Sequence, residues 1–369
     1  LCADAHKGYS MPIGGVVAYD GLISPSGVGF DIACGNKAVR TALKAADIRK
    51  DLPKIMDTIF STISFGIGRK NPTPIDHPLF DSPDWNVHPG VVALKQLARD
   101  QLGTVGGGNH YVDLFEEEKT GDLWVGVHFG SRGFGHKTAT GFLNLAANRP
   151  FDAPLPGESM DAPPTLLRVD TDLGQAYLTA MQLAGEYAYA GRDYVVNQVL
   201  DILGTQATFE VHNHHNYAWK ETHHGRSVWV IRKGSTPCHP GQLSFVGGSM
   251  ADISVIIRGK DTPAARASLY STVHGAGRIM SRTQAAGKWR RSGGRRVRVG
   301  GQISQEEMLR QVKAYGVTLR GAGTDEAPGV YRRLQTVLDA HADTIEILHV
   351  LKPIGVAMAP ADEYDPYKD

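Results

Sequence analysis

The sequence predicts a single α+β domain spanning residues 1–369, with packed mixed or antiparallel sheets, flanking helices and a polar metal-binding cleft. Three observations lead there. Short apolar runs of strand length are interspersed with a few stretches of helical spacing. Forty-three glycines mark many tight turns and close backbone approaches, as in a site assembled from loops. Histidine segments flanked by glycine or asparagine recur along the chain, and the turn Gly29-Phe30-Asp31-Ile32-Ala33-Cys34-Gly35 sets a carboxylate and a thiol three residues apart.

A chain of 369 residues can bury a large core, and 41% hydrophobic with 21% charged residues is ordinary for a globular protein. The formal net charge of +1 excludes a global polyanion binder, so any nucleic-acid surface must be local. Cys2, Cys34 and Cys238 are too few and too scattered for a disulfide framework, which points to a reducing, cytoplasmic compartment. No apolar run has the length of a membrane span, and no basic-then-apolar leader precedes the first motif. Because the chain opens on Leu1 rather than methionine, an N-terminal segment is expected to be missing.

Taken in order, the opening reads as turns and a strand over 16–18, then the Asp31/Cys34 turn, with a return strand over 37–41. Leu52, Ile55, Met56, Ile59, Phe60 and Ile63 recur at helical intervals within 50–63. Residues 66–90 are rich in Pro, Asp and His and read as a long surface loop in which His77 and His88 are solvated. A helix over 91–102 stops at Gly103, and a buried strand over 123–127 ends at His128. Five prolines between Arg149 and Pro164 indicate a surface excursion or lid. Asp172 is placed to cap the longest helix, 173–203, whose apolar stripe is core packing. Strands follow over 208–211, 227–231, 243–246 and 252–257. Lys288 to Arg298 reads as a basic loop, its six cations around Trp289 and Gly293-Gly294 suited to a phosphate backbone. Residues 344–358 read as a strand pair, followed by a short acidic tail.

The chemistry gathers around the Asp31/Cys34 turn. A thiolate beside a carboxylate can hold Mn²⁺, Zn²⁺ or Fe²⁺, although the spacing alone also fits a small buried cysteine. Three histidine segments strengthen the metal reading: Gly108-Asn109-His110, Val127-His128-Phe129-Gly130-Ser131-Arg132-Gly133, and His212-Asn213-His214-His215-Asn216. In the last, alternation along a strand sets His212 and His214 on one side and His215 on the other. Arg132 can grip a phosphate bidentately or serve as a surface ion-pair partner. His274 in His274-Gly275-Ala276-Gly277-Arg278 can attack phosphorus while Arg278 neutralises phosphoryl oxygens, or it can simply cap a helix.

Six motifs in matching order, from Asp4-Ala5-His6 to Asp325-Glu326-Ala327-Pro328, resemble the RtcB-type RNA ligases that use manganese and GTP. The resemblance covers nearly the whole chain. It implies joining of RNA ends bearing a 3′-phosphate or 2′,3′-cyclic phosphate to 5′-hydroxyl ends, in tRNA splicing or repair, with an activating protein as a possible partner. It implies that Asp31, Cys34, His110, His128 and His215 hold two Mn²⁺ ions bridged by the Cys34 thiolate, a ligand set that also accepts Zn²⁺ or Co²⁺. His274 looks like the residue that takes GMP. Asn109, Asp113, Asn216, Gly247, Gly248, Ser249, Met250, Ser254, Gly275, Ala276 and Gly277 would line the nucleotide pocket. Arg132 and Arg278 would stand with His274 in the catalytic group. Three departures stand out. Asp113 replaces the family's usual glutamate, Met358 stands where the family tends to carry a lysine contacting the guanylate, and Gly247 replaces a proline common before Gly-Ser-Met. A relative that kept the metals but lost guanylylation would be a metal-dependent phosphodiesterase or phosphatase acting on RNA ends.

Overall fold

The computed structural model describes residues 1–154, 160–292 and 295–361. Among these the main sheet has eight strands. Seven lie antiparallel in the order Leu243–Val246, Ser254–Gly259, Ile345–Met358, Tyr111–Glu117, Asp122–Phe129, Gly35–Lys44, Ala207–His214. Thr318–Arg320 pairs parallel with the C-terminal end of Ile345–Met358. Alternation along the strands sorts their side chains between two cores. Val39, Val112, Leu114, Val125 and Val127 pack with helices Leu52–Thr62 and Asp172–Leu203. Ala38, Tyr111, Phe115 and Trp124 belong to a second core with Phe245 and with Met308 and Val312 of helix Gln305–Tyr315.

That second face carries the site. Cross-strand register sets Met358 opposite Tyr111, Tyr111 opposite His128, His128 opposite Asn36, and Asn36 opposite Asn213. A row of Tyr111, His128, Asn36 and Asn213 thus runs across four strands at one end of an otherwise apolar face, with Met358 at its edge. A three-stranded antiparallel sheet, ordered Gly15–Tyr19, Arg226–Lys233, Asn216–His223, contributes to a further core with helices Arg132–Ala146 and Asp172–Leu203. The long helix therefore touches both bodies of core and ties the two sheets together.

The α+β architecture is the one predicted, with several local corrections. Thr171, not Asp172, caps the long helix, its hydroxyl accepting from the Gly174 N–H at 3.1 Å. The 66–90 stretch contains two 3-10 turns that bury Trp85, whose indole N–H donates to Leu79 O. His77 and His88 are half-buried caps rather than solvated residues, accepting from the Leu79 and Gly90 N–H groups at 3.1 and 3.0 Å. Helix Arg132–Ala146 was not foreseen because Gly133, Gly135, Gly141 and two threonines give it weak local propensity. It forms because Phe134 and Phe142 are wholly buried.

The end of the sheet is one fourteen-residue strand, not a strand pair. A register shift lies between Pro353 and Gly355, where proline's missing N–H is accommodated by a bulge. The basic 288–298 segment is not a loop but two paired strands, Lys288–Ser292 and Arg295–Val299; Gly293 and Gly294 lie outside the described residues. In the proline-rich excursion, residues 155–159 lie outside the described residues, while Phe151 packs so closely on Gly90 and Gly141 that a Cβ there would lie 2.4 and 2.2 Å from its ring. The acidic tail from residue 362 onward is likewise outside them.

Candidate metal centre and nucleotide cleft

The Asp31/Cys34 turn is shaped by its neighbours. Ala33 adopts φ 60°, its N–H donates to Asn216 O at 2.7 Å, and the Cys34 N–H returns to Asp31 O at 3.1 Å. Gly130 is required opposite the turn, since a Cβ there would lie 2.1 Å from Asp31 Oδ1. The Cys34 carbonyl accepts the His215 N–H at 2.8 Å, which draws the end of the histidine cluster alongside.

Cys34 Sγ, His110 and His128 offer donor atoms that all lie within 4.8 Å of one another, and all three residues are buried. Sγ stands 3.5 Å from His128 Nε2 and 3.8 Å from His110 Nε2, and Asp31 Oδ2 is 3.1 Å from His110 Nε2. Each imidazole is oriented from behind. His128 Nδ1 bonds Asn36 Oδ1 at 2.6 Å, and His110 Nδ1 bonds Val105 O at 2.9 Å. With Nδ1–H donated to Asn36, the His128 ring directs its Nε2 lone pair at the thiol, the arrangement of a metal-ligating histidine, while His110, held through Nδ1 by Val105 O, presents Nε2 to both Cys34 and Asp31.

Electrostatics favour a cation here. Burial and the Asp31 charge hold the Cys34 thiol well above its ordinary pKa, so a thiolate needs a positive partner. Burial would raise Asp31, but its hydrogen bond to His110 and that neighbour's charge leave it below the usual carboxylate value. Burial, and then proximity to His110, hold His128 well below the ordinary histidine value, so the ring is neutral and its lone pair available. A soft sulfur, two imidazoles and a carboxylate suit a divalent transition metal.

His215 lies just outside that compact trio. Its ring stacks on His128 at 5.0 Å and stands 4.9 Å from His274, and its buried Nδ1 has no hydrogen-bond partner among the described residues. His212 and His214 turn the other way, as strand alternation requires, onto the fully buried Arg192. That guanidinium donates to His212 Nε2 and meets His214 Nδ1, both at 2.9 Å, and also caps Ala33 O and Phe129 O. Burial pushes Arg192 down to about 10. Arg192 thus braces the backbone behind the thiol.

His274 and this group line one cleft of about 750 Å³, with His215 between them. Asp4, with no exposed surface, bonds His274 Nδ1 at 2.6 Å and accepts its backbone N–H at 3.1 Å through the same oxygen. Arg278 lines the cleft, with Nη1 on Glu326 Oε2 at 3.2 Å and on the Tyr331 hydroxyl at 2.9 Å, and Nη2 on Asp325 O at 2.6 Å. Asn109, Asp113, Asn216, Gly247, Gly248, Ser249, Met250 and the Gly275-Ala276-Gly277 backbone all line the same cleft, as does Met358.

Two residues singled out in the sequence lie behind the wall. Ser254 accepts the Gly248 N–H at 3.0 Å and supports the glycine loop. Arg132, read from sequence as a phosphate grip or an ion-pair partner, bonds Thr104 Oγ1 at 2.9 Å and Gly66 O at 3.0 Å from a backbone of left-handed φ 55°. Four residues that position the site carry no assigned role in the sequence reading: Asn36, Asp4, Arg192 and Glu326. Asp4 and Glu326 belonged to recognised motifs, and Arg192 is a cation inside an otherwise apolar helical stripe. Asn36 carried no signal beyond its place next to Cys34-Gly35.

A Cys/His group able to hold a metal ion and a carboxylate-held histidine share one cleft with glycine-rich walls in an α+β fold. The comparisons with known proteins are more specific. The family model "tRNA-splicing ligase RtcB" matches residues 1–98 and 87–359, and the chain belongs to that family. It is similar to the tRNA-splicing ligase RtcB of Pyrobaculum aerophilum, 32% identical over 96% of this chain and 86% of that protein. It is also 29% identical to the tRNA-splicing ligase RtcB of Thermococcus kodakarensis, over 96% and 86% of the two chains. The RNA-splicing ligase RtcB of Escherichia coli is 29% identical over 95% of this chain and 87% of its own. Among the described residues, no helix is long and apolar enough to cross a membrane.

Proposed function

We propose that this chain is a single-domain, cytoplasmic RNA ligase that joins 3′-phosphate or 2′,3′-cyclic phosphate ends to 5′-hydroxyl ends, using Mn²⁺ and GTP. The observation that carries the reading is His274, held by Asp4 through Nδ1 in the same cleft as Cys34, His110 and His128. Asp31, Cys34, His110, His128 and His215 would hold the manganese. Bound there, it would offset charge on phosphoryl oxygens and lower the pKa of a water that opens a cyclic phosphate.

The chain's own groups do the rest. With Nδ1–H donated to Asp4, the Nε2 lone pair of His274 is free for the α-phosphorus of GTP; the new N–P bond forms as pyrophosphate leaves. Arg278, fixed by Glu326 and Tyr331, directs positive charge at the phosphoryl oxygens. The RNA 3′-phosphate then displaces the imidazole to give an RNA end capped with a pyrophosphate-linked guanosine, and the 5′-hydroxyl displaces GMP as the new phosphodiester forms. Asn109, Asn216 and the Gly247–Met250 loop, supported by Ser254, would position the nucleotide.

Incubation with α-labelled GTP and Mn²⁺ tests this: the unsubstituted protein retains label and His274→Ala does not. A protein that takes no label but hydrolyses cyclic-phosphate ends is instead the metal-dependent phosphodiesterase. The feature favouring that second reading is Met358, an uncharged side chain in the cleft wall where a lysine was expected.

A further inference from the structure

We propose that the paired strands Lys288–Ser292 and Arg295–Val299 form a phosphate-backbone rail at the rim of the cleft, which takes the RNA strand leading away from the reacting end. The proposal rests on the ligase reading only for the identity of the polyanion.

Charge distribution carries it first. From Thr262 to Gln305 the sequence holds nine Lys or Arg and no Asp or Glu, while the remaining 325 residues hold 30 basic against 38 acidic. A chain with almost no net charge therefore concentrates an excess of cations in one segment; Arg266, Arg278, Arg282 and Arg298 pair with carboxylates outside it.

Placement comes next. Arg278, Arg282 and Gln284 of this segment line the cleft. The helix Arg282–Ala286 runs directly into Lys288, which lies four residues beyond Gln284, about 14 Å of chain at most. The root of the hairpin is clamped to the cleft wall. Arg298 Nη1 meets Asp325 Oδ1 at 3.4 Å, with its guanidinium 4.9 Å over the Trp289 ring, and the adjacent Glu326 pairs with both Arg278 and Arg282.

Register then sorts the two faces of the hairpin. Trp289 lies opposite Arg298 on the clamped face, while Lys288 and Arg290 lie opposite Val299 and Val297 on the other. Lys288 and Arg290 are exposed with Val297 and Val299 exposed beside them, Arg291 is exposed on the Trp289 face, and none of the three cations makes an ion pair among the described residues. Cations with exposed apolar neighbours match a nucleic-acid strand, which offers phosphates to the first and sugar or base faces to the second.

The test uses the whole chain carrying Lys288→Gln, Arg290→Gln and Arg291→Gln together, with a 20-nucleotide RNA ending in a 3′-phosphate. At about 0.7 of log-log salt slope per single-strand phosphate contact, the slope should fall by about 2, and Kd at 0.1 M salt should rise about tenfold or more. A dinucleotide with the same end, confined to the cleft, should bind both proteins equally. An unchanged slope and Kd for the long RNA would overturn the proposal, as would equal weakening of the dinucleotide. If the triple variant fails to fold, Arg290→Gln alone should lower the slope by about 0.7, and no change again overturns it. Labelling of the unsubstituted protein by GTP tests the ligase reading separately, and either result stands without the other.

Discussion

The two walls of the cleft hold their functional groups in opposite ways. On the metal wall, His110 and His128 sit at or within strands of the main sheet, Cys34 directly precedes one, and Arg192 braces the backbone behind them from the interior. On the facing wall, His274 and Arg278 sit in irregular chain between Ser271–Val273 and Arg282–Ala286, and carboxylates from remote segments position them. Asp4 lies 270 residues before His274, and Glu326 lies 48 after Arg278. The contrast shows two ways to pre-organise a site: a sheet sets ligand geometry through register, whereas loops need a buried ionic clasp for each group.

Substitutions should separate the walls. The largest effect is expected from Cys34→Ala, which removes the central donor: metal content and joining of cyclic-phosphate RNA should both fall by more than about 100-fold. Full activity in that variant would remove the metal wall altogether. Asp4→Asn should lower guanylate transfer to His274 on the order of 100-fold by losing the carboxylate that fixes the tautomer. Metal content should stay unchanged; if it falls in parallel, the walls are not independent.

Asn36→Ala frees His128 Nδ1 and should weaken metal affinity by about tenfold, read by metal titration. Because the defect is one of affinity, saturating metal should restore labelling of His274, and failure to do so would mean that Asn36 acts on both walls.

The smallest effect concerns Asp113, whose buried Oδ1 has no partner among the described residues and whose carboxyl is raised well above the ordinary value by burial. The folded protein keeps a proton that the unfolded chain releases above about pH 4. The group's contribution to stability is therefore present below that pH and is lost as pH rises toward the folded pKa. Relative to the unsubstituted protein, the melting temperature of Asp113→Asn should climb as pH is taken from about 4 to about 8. Parallel curves would show that the carboxyl is solvated.

The legibility of the chain follows the same division. Helices Leu52–Thr62, Pro89–Gln101 and Asp172–Leu203 were readable because apolar spacing and end signals are local properties. Helix Arg132–Ala146 was hidden because burial of Phe134 and Phe142, not propensity, holds it together. The split of His212 and His214 from His215 followed from alternation alone. What the first two contact did not, since the guanidinium that engages them comes from another element. The bonds of Arg132 to Thr104 and Gly66 O depend likewise on segments distant in sequence.

By itself, the sequence determined the α+β class, the family and the set of residues able to bind metal or attack phosphorus, because these depend on residue type, order and short-range period. Only the tertiary structure decided which histidines converge on Cys34, that Asp4 and Asn36 orient His274 and His128, and that the basic segment is a clamped hairpin. Those outcomes depend on contacts between segments up to 270 residues apart, which no local pattern encodes.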